Sequence, residues 1–408
     1  MKQIFFAIAI FFALALTSCE SLNNNSEGNE NYEPIVLTKS QQAVAAKGDA
    51  FALDFLRACS QAFPGSNLFL SPMSASMLCS MLANGAEDET YAEIVKAIGM
   101  DNFTIDQVND CYTTLVAALL KADRNVSLSL ANSLWAAKEL DLKSSFRKQM
   151  SRVYDAESYV VDLADDATLP RINGWCSDKT KGLIPKMFDE IDPQVQLILI
   201  NALYFKGTWK VPFVKDLTTQ ATFYALSGQN TTADFMFAAS GDAFTGYQDE
   251  SVTVVRLPYG NGAFYLEAIM PADKDFMAFL AGLSSEKLAR WDANNIQRFE
   301  VRFPKFKAAF DTEQQLIPIM QSLGMKKAFS RAAEFGKISN TPLYVSNMRQ
   351  KAFVSLDEEG TEAAAVTIAE LRKNEAGSGP VLAFNRPFVY LIREKSTGAI
   401  LFAGTKLN

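Results

Sequence analysis

The chain has 408 residues, 49% of them hydrophobic and 21% charged, with a formal net charge of −7. That is enough apolar material for a large core, it is not the composition of a disordered chain or a membrane bundle, and the acidic balance argues against a general nucleic-acid binder. No histidine is present, which excludes Ser-His-Asp and Cys-His catalysis, H-E-x-x-H zinc hydrolysis and most histidine-based metal sites.

In chain order, residues 2–16 combine a charged start with an apolar run too short to remain in a bilayer, the pattern of an export signal. It ends in Leu16-Thr17-Ser18-Cys19, a small-residue cleavage site that resembles the lipobox of bacterial lipoproteins. The resemblance implies a signal peptide over 1–18 and a diacylated Cys19 as membrane anchor, at the outer membrane or cell surface of a bacterial envelope. An ordinary secretory signal with an incidental cysteine fits the same residues. Residues 20–34 are rich in Asn, Glu, Ser and Gly, so 19–40 is expected to be a disordered tether. Of the other cysteines, Cys59, Cys79, Cys111 and Cys176, none has C-x-x-C spacing. In an exported protein they could pair, but Cys59 and Cys79 lie in apolar helical patterns that favour buried thiols.

From residue 41 onward no linker and no internal repeat breaks the chain, which predicts one domain over 41–408. Residues 40–63 read as an amphipathic helix stopped by Pro64-Gly65, and Ser71-Pro72 opens a nearly all-apolar, hence buried, helix over 73–82. The basic residues Lys143, Arg147 and Lys148 read as the wet face of a helix. Ser145-Phe146-Arg147-Lys148 matches S-x-x-K but lacks the S-D-N and K-T-G companions, so no catalytic residue is assigned. Residues 197–209 form a continuous apolar run, expected as a strand covered on both faces. Further strands are expected over 252–259, 264–270 and 299–306, and a helix over 312–323 ending near Gly324.

The segment 355–372 looks extended yet carries little bulk on one face. Thr361, Ala363, Ala365, Thr367 and Ala369 alternate with Glu362, Ala364, Val366, Ile368 and Glu370. A strand of this kind can slide between two neighbours, because large inward side chains would overpack a core by roughly 1–3 kcal/mol each. Alone, the segment fits an Ala-rich helix or loop equally well. It is followed by the polar, Gly-rich run 373–380, and then Phe384-Asn385-Arg386-Pro387-Phe388 leads into an apolar pair of strands.

Lys351-Ala352-Phe353-Val354-Ser355-Leu356-Asp357-Glu358-Glu359-Gly360-Thr361-Glu362-Ala363-Ala364-Ala365 resembles the reactive-loop hinge of the serpins. Phe384 to Phe388 resembles their C-terminal signature. Asn67-Leu68-Phe69-Leu70-Ser71-Pro72-Met73-Ser74, Ile172-Asn173-Gly174-Trp175 with Thr180-Lys181-Gly182-Leu183-Ile184, the run ending in Trp209, and Ala328-Phe329-Ser330 are similar to further blocks in the family's order. The resemblance runs from about residue 41 to the end. It implies an α+β serpin fold, a single large domain with three β-sheets, surrounding helices and an exposed reactive-centre loop over about 358–383.

The implied activity is suicide inhibition of a target endopeptidase by a monomer, with no catalysis of its own, no cofactor, no metal and no nucleic-acid partner. The hinge would be Glu358, Glu359, Gly360, Thr361, Glu362, Ala363, Ala364 and Ala365. Ser71, Ser74, Asn201, Trp209 and Gln350 would form the shutter and breach. The family usually has histidine where this chain has Gln350, whose amide can donate and accept hydrogen bonds but cannot titrate near neutrality. Family spacing puts the scissile bond after Asn374, and the basic pair Arg372-Lys373 lies immediately before it. A trypsin-like protease acting at Lys373 is the first choice, with a cysteine or elastase-like protease after Asn374 left open. A non-inhibitory serpin that binds a ligand or partner, and a lipid-anchored S-x-x-K hydrolase, are the competing readings.

Overall fold

A computed structural model describes residues 32–192, 194–239, 244–272, 275–294, 299–361 and 381–408. Helix α1 (Lys39–Ala62) starts at Thr38, whose side chain accepts from the Gln41 N–H while Gln41 answers the Thr38 N–H, a reciprocal capping box. It stops at Phe63, before the Pro64-Gly65 turn. Helix α2 (Pro72–Gly85) has Ser71 as N-cap and Pro72 in its first turn, and all but one of its residues are buried. It is held between two sheets: Ser74 bonds Asn201 on one, and the Ser71 hydroxyl donates to the Leu401 carbonyl of the other at 3.1 Å.

The central sheet comprises strands β1 (Val126–Ala137), β2 (Glu157–Val161), β3 (Leu197–Thr208), β4 (Phe306–Asp311), β5 (Lys351–Leu356) and β6 (Gly360–Thr361), in the spatial order β4-β5-β6-β3-β1-β2. A second six-stranded sheet packs Leu68–Leu70, Ile400–Lys406, Phe388–Glu394, Phe264–Pro271, Val252–Pro258 and Thr245–Gln248 side by side. A third holds Val381–Ala383, Glu300–Pro304, Thr231–Ala239 and Thr219–Phe223. The core lies between the central and second sheets, where Phe205 meets Phe264 and Phe402.

Several local expectations change. The strand expected over 299–306 is two strands in different sheets, divided after Pro304. The helix expected from Thr312 begins only at Leu316, because Thr312 is buried and spends its N–H and hydroxyl on the Gln350 backbone, and Glu313 turns the chain at φ 48°. By contrast, residues 172–175 lie in helix α3 (Thr168–Lys179) and the glycine turn follows within 180–184, at Lys181 and Gly182 with φ of 54° and 85°. Strand β3 is not uniformly covered: Ile200, Ala202 and Tyr204 are buried, whereas Leu199, Asn201 and Leu203 are half-buried.

Within the stretch expected as a tether, the chain already lies on the body from Tyr32. Leu37 is buried, the Tyr32 hydroxyl donates to Glu394, and the Ile35 N–H donates to Ser396. Cys59, Cys79, Cys111 and Cys176 are free buried thiols, and burial pushes that of Cys79 up to about 12, far from the reactive range. Ser145 and Lys148 are both exposed on the helix Ser144–Tyr154, an ordinary solvated face.

Candidate functional site

Two clusters flank one feature of the central sheet, and the first is at its top. Strand β5 ends in a tight turn in which the Asp357 carboxylate accepts from the N–H groups of Glu359 and Gly360 at 3.0 and 3.2 Å. The chain returns as β6, antiparallel both to β5 (Leu356 opposite Thr361) and to β3 (Gly360 opposite Thr208, Thr361 opposite Gly207). Gly360 is required by close approach. With φ at 154°, an added Cβ would sit 2.1 Å from the Gly207 carbonyl oxygen.

Trp209 closes this corner. Its indole N–H donates to the Asp357 carbonyl at 2.8 Å, its backbone N–H donates to the Glu359 carbonyl at 2.9 Å, and its ring stacks on Tyr259 at 4.5 Å. The hydroxyls of Tyr259 and Thr361 are 2.5 Å apart, and Thr361 is 2% exposed. Residues 358–361, expected on an exposed loop, are thus held on the body: Gly360 and Thr361 are the strand β6, and in the turn before it the carbonyls of Glu358 and Glu359 accept from the N–H groups of Phe213 and Trp209. Only Glu359 among them is half-buried.

The Glu358 carboxylate accepts from Lys305 at 2.7 Å and from Thr218 at 2.9 Å. Burial alone would raise its pKa, but the Lys305 bond, its own N–H and Thr218 outweigh burial and hold it below the ordinary carboxyl value. A carboxyl with a lowered folded-state pKa contributes stability that is present above its unfolded pKa and is lost as pH falls through the folded one. Acid is therefore expected to loosen the hinge below about pH 4, and Glu358→Gln is expected to abolish that step. Tryptophan fluorescence from Trp209 titrated downward from neutrality checks both. An acid step of the same size in the variant would remove Glu358 as its cause.

The second cluster sits halfway down the sheet. The Gln350 amide accepts from the Ser71 N–H at 3.0 Å and donates to the Ser71 carbonyl at 2.8 Å. Ser71 caps Ser74, Ser74 bonds Asn201, Asn201 donates to Asn132 at 2.7 Å, and Asn132 donates to the Tyr154 carbonyl at 2.7 Å. A continuous polar chain thereby joins Gln350, the residue before β5, to α2, β3 and β1. Because both bonds of Gln350 come from an amide, the rate of any conversion that opens this point is expected to show no step between pH 5 and 8. A step there that disappears on changing Gln350 would contradict this.

Between the clusters lies a slot. Strands β5 and β3 run parallel and share no ladder among the described residues, and β6 separates them at the top. At the second cluster and beyond it a cavity of about 350 Å³ continues the separation, with residues 197–201 of β3 on one side, 345–350 on the other, and Ser74 and Ala75 of α2 beneath.

The structure brings Ser71, Ser74, Asn201 and Gln350 together, and separately Trp209 with Glu358, Glu359, Gly360 and Thr361. Glu362, Ala363, Ala364, Ala365, Arg372, Lys373, Asn374 and Cys19 lie outside the described residues. Sequence reasoning missed Asn132, Thr218, Tyr259, Lys305 and Thr312. Only Asn132 gave a signal, a lone amide in an otherwise apolar and small-residue strand.

The family model described as "Serpin (serine protease inhibitor)" matches residues 46–408. Iripin-3 of Ixodes ricinus is 32% identical over 354 residues, covering 84% of this chain and 88% of the relative. Among solved structures, the thermophilic serpin tengpin in its native state superposes with a TM-score of 0.82 at 27% identity, covering 93% of this chain and 97% of that one. Human thyroxine-binding globulin complexed with thyroxine gives a TM-score of 0.81 at 25% identity, covering 90% and 99%.

Proposed function

The chain belongs to the serpin family, and on that premise we propose that it is a suicide inhibitor of serine endopeptidases of trypsin-like specificity. The target attacks the loop as a substrate, and the acyl-enzyme forms. The freed loop then enters the central sheet as a new strand, carrying the tethered protease with it before water can release it. Trapping is a race between insertion and deacylation, in which about 1.4 kcal/mol on the insertion barrier is a tenfold change in rate.

The observation that carries this reading is the slot entered by β6. Thr361 opposes Gly207, and in an antiparallel pair each step forward on one strand is a step back on the other. Continued in register, Thr367 would oppose Asn201 (361 + 6 against 207 − 6) and Leu371 would oppose Leu197 (361 + 10 against 207 − 10). Opposed residues share a face, so Thr361, Ala363, Ala365, Thr367 and Ala369 would lie on the face of Phe205 and Asn201, which points into the core. That is the face with no room for bulk. The paired length ends at Leu371, so a cut after Arg372 or Lys373 would release a strand long enough to fill the slot.

The test is to mix the exported chain with trypsin over a range of ratios and run denaturing gels. The expected result is a band near the summed masses, with the loop cut between Leu371 and Ala376. A cut elsewhere would contradict the assigned bond.

We also propose export with lipid attachment at Cys19 and action as a monomer. The signal-like residues 2–16 and the small residues before Cys19 support the attachment. Mass spectrometry of the N-terminal peptide tests it, and an unmodified Cys19 would refute it. A ligand-carrying role is favoured by the cavity, whose lining mixes apolar and polar side chains, and by the likeness to thyroxine-binding globulin. The small residues of the hinge weigh for inhibition, because a carrier has no use for a strand that slides.

A further inference from the structure

The second sheet carries charge on the face turned away from the slot. Along Phe264–Pro271, Phe264 meets Phe205 in the core, so by strand alternation Glu267 points the other way, with Arg256 and Arg393 beside it on the neighbouring strands. Glu267 accepts from Arg256 at 2.8 Å and from Arg393 at 2.7 Å, and Asp292 of the helix Ser285–Ala293 pairs with the same two arginines at 2.9 and 3.3 Å. Two cations and two anions thus close a square whose charges cancel. Asp49 of α1 stands beside it as a fifth charged group. Half-buried, it accepts from the Ile400 N–H at 3.0 Å with one oxygen, and a Cβ placed on Gly398 would lie 3.6 Å from the other and 3.2 Å from Arg393. The hairpin 394–400 therefore lies over both side chains. It also holds the chain that precedes α1, through Tyr32 on Glu394 and the Ile35 N–H on Ser396.

We propose that Asp49 is a proton-operated latch: protonated, it lets α1 and the 394–400 hairpin close over the charge-balanced square, and ionised, it forces them apart and frees the segment 32–37 that the hairpin holds. The groups that act on Asp49 are Arg393, with Glu267, Asp292 and Tyr265 around that arginine, and Cys111 of the helix Ile105–Leu119, whose thiol burial pushes up to about 12 and so keeps neutral. Burial pushes the Asp49 carboxyl up to about 7, against the pull of Arg393 and the Ile400 N–H. An acid whose folded pKa is raised keeps its proton longer in the folded chain than in the unfolded one. Its contribution is therefore most favourable below its ordinary value near 4 and declines as pH rises to about 7. The chain has no histidine, so no ordinary side-chain pKa competes in the upper half of that window. The latch does not depend on the inhibitory reading. Because it faces away from the slot, the rate of opening at Gln350 is not expected to follow it.

The test follows urea unfolding of the full chain between pH 5 and 8. The parent is expected to lose stability as pH rises, its unfolding constant growing by up to about tenfold per pH unit and levelling off above about pH 7, whereas Asp49→Asn is expected to stay level. Hydrogen exchange read by mass spectrometry reports the latch itself. Peptides holding Ile35 and Ile400 are expected to lose protection between pH 6 and 8 beyond the intrinsic rise in exchange, and to keep it in Asp49→Asn. A parent midpoint that does not move with pH, an equal slope in Asp49→Asn, or protection that stays level after correction for intrinsic exchange would overturn the latch. If Asp49→Asn does not fold, the parent decides alone. Unfolding it at pH 6 is expected to release about one proton, seen as a difference in unfolding heat between buffers of unlike ionisation enthalpy, and release of none would overturn the proposal.

Discussion

Thr361→Arg is expected to turn the chain from an inhibitor into a substrate. Thr361 is buried between Leu356 and Gly207, with its hydroxyl against that of Tyr259. A guanidinium there would either bury a charge with no carboxylate partner, at a cost of roughly 3–5 kcal/mol, or drive the hinge out of the sheet. Either course raises the insertion barrier. At about 1.4 kcal/mol per decade the slowing is on the order of a hundredfold or more, so deacylation wins. The check is the number of inhibitor molecules consumed per protease trapped, with Thr361→Ser as a control that keeps the hydroxyl. Thr361→Glu repeats the test without adding a basic cleavage site. Unchanged stoichiometry in both charged variants would mean that the loop does not insert here.

The second large effect is expected from Trp209→Ala. Trp209 is 3% exposed, stacks on Tyr259, meets Phe213 edge-on at 5.9 Å and donates its indole N–H to Asp357. Removing it leaves a cavity at the top of the slot and an unsatisfied Asp357 carbonyl, a loss of about 3–5 kcal/mol. The native form should unfold at markedly lower denaturant, and the turn that feeds β6 should lose its wall. Urea unfolding measures the first, and proteolysis near residues 357–361 measures the second. A midpoint within experimental scatter of the parent would show that the corner is held by its backbone pairs alone.

These expectations follow from residues whose legibility in the sequence differed. The buried helix after Ser71-Pro72 and the long central strand could be read because apolar content and capping chemistry are local signals. The hinge was readable through its resemblance to the serpin hinge, because the alternation of small residues alone fits a helix or loop equally well. Its burial up to Thr361 was not, because that depends on the turn at Asp357 and on partners contributed by β3. Lys305 and Thr218 come together around Glu358 from distant parts of the chain, and nothing in their own neighbourhoods marks them. The division of 299–306 turned on one Pro304, which could equally have ended a single strand.

The most direct test of insertion into the slot is a crystal structure of the chain after its loop has been cut by trypsin. The account predicts a continuous strand from Thr361 between β5 and β3, with Thr367 opposite Asn201 and Leu371 opposite Leu197. A cleaved chain whose slot holds nothing below Thr361 would contradict it.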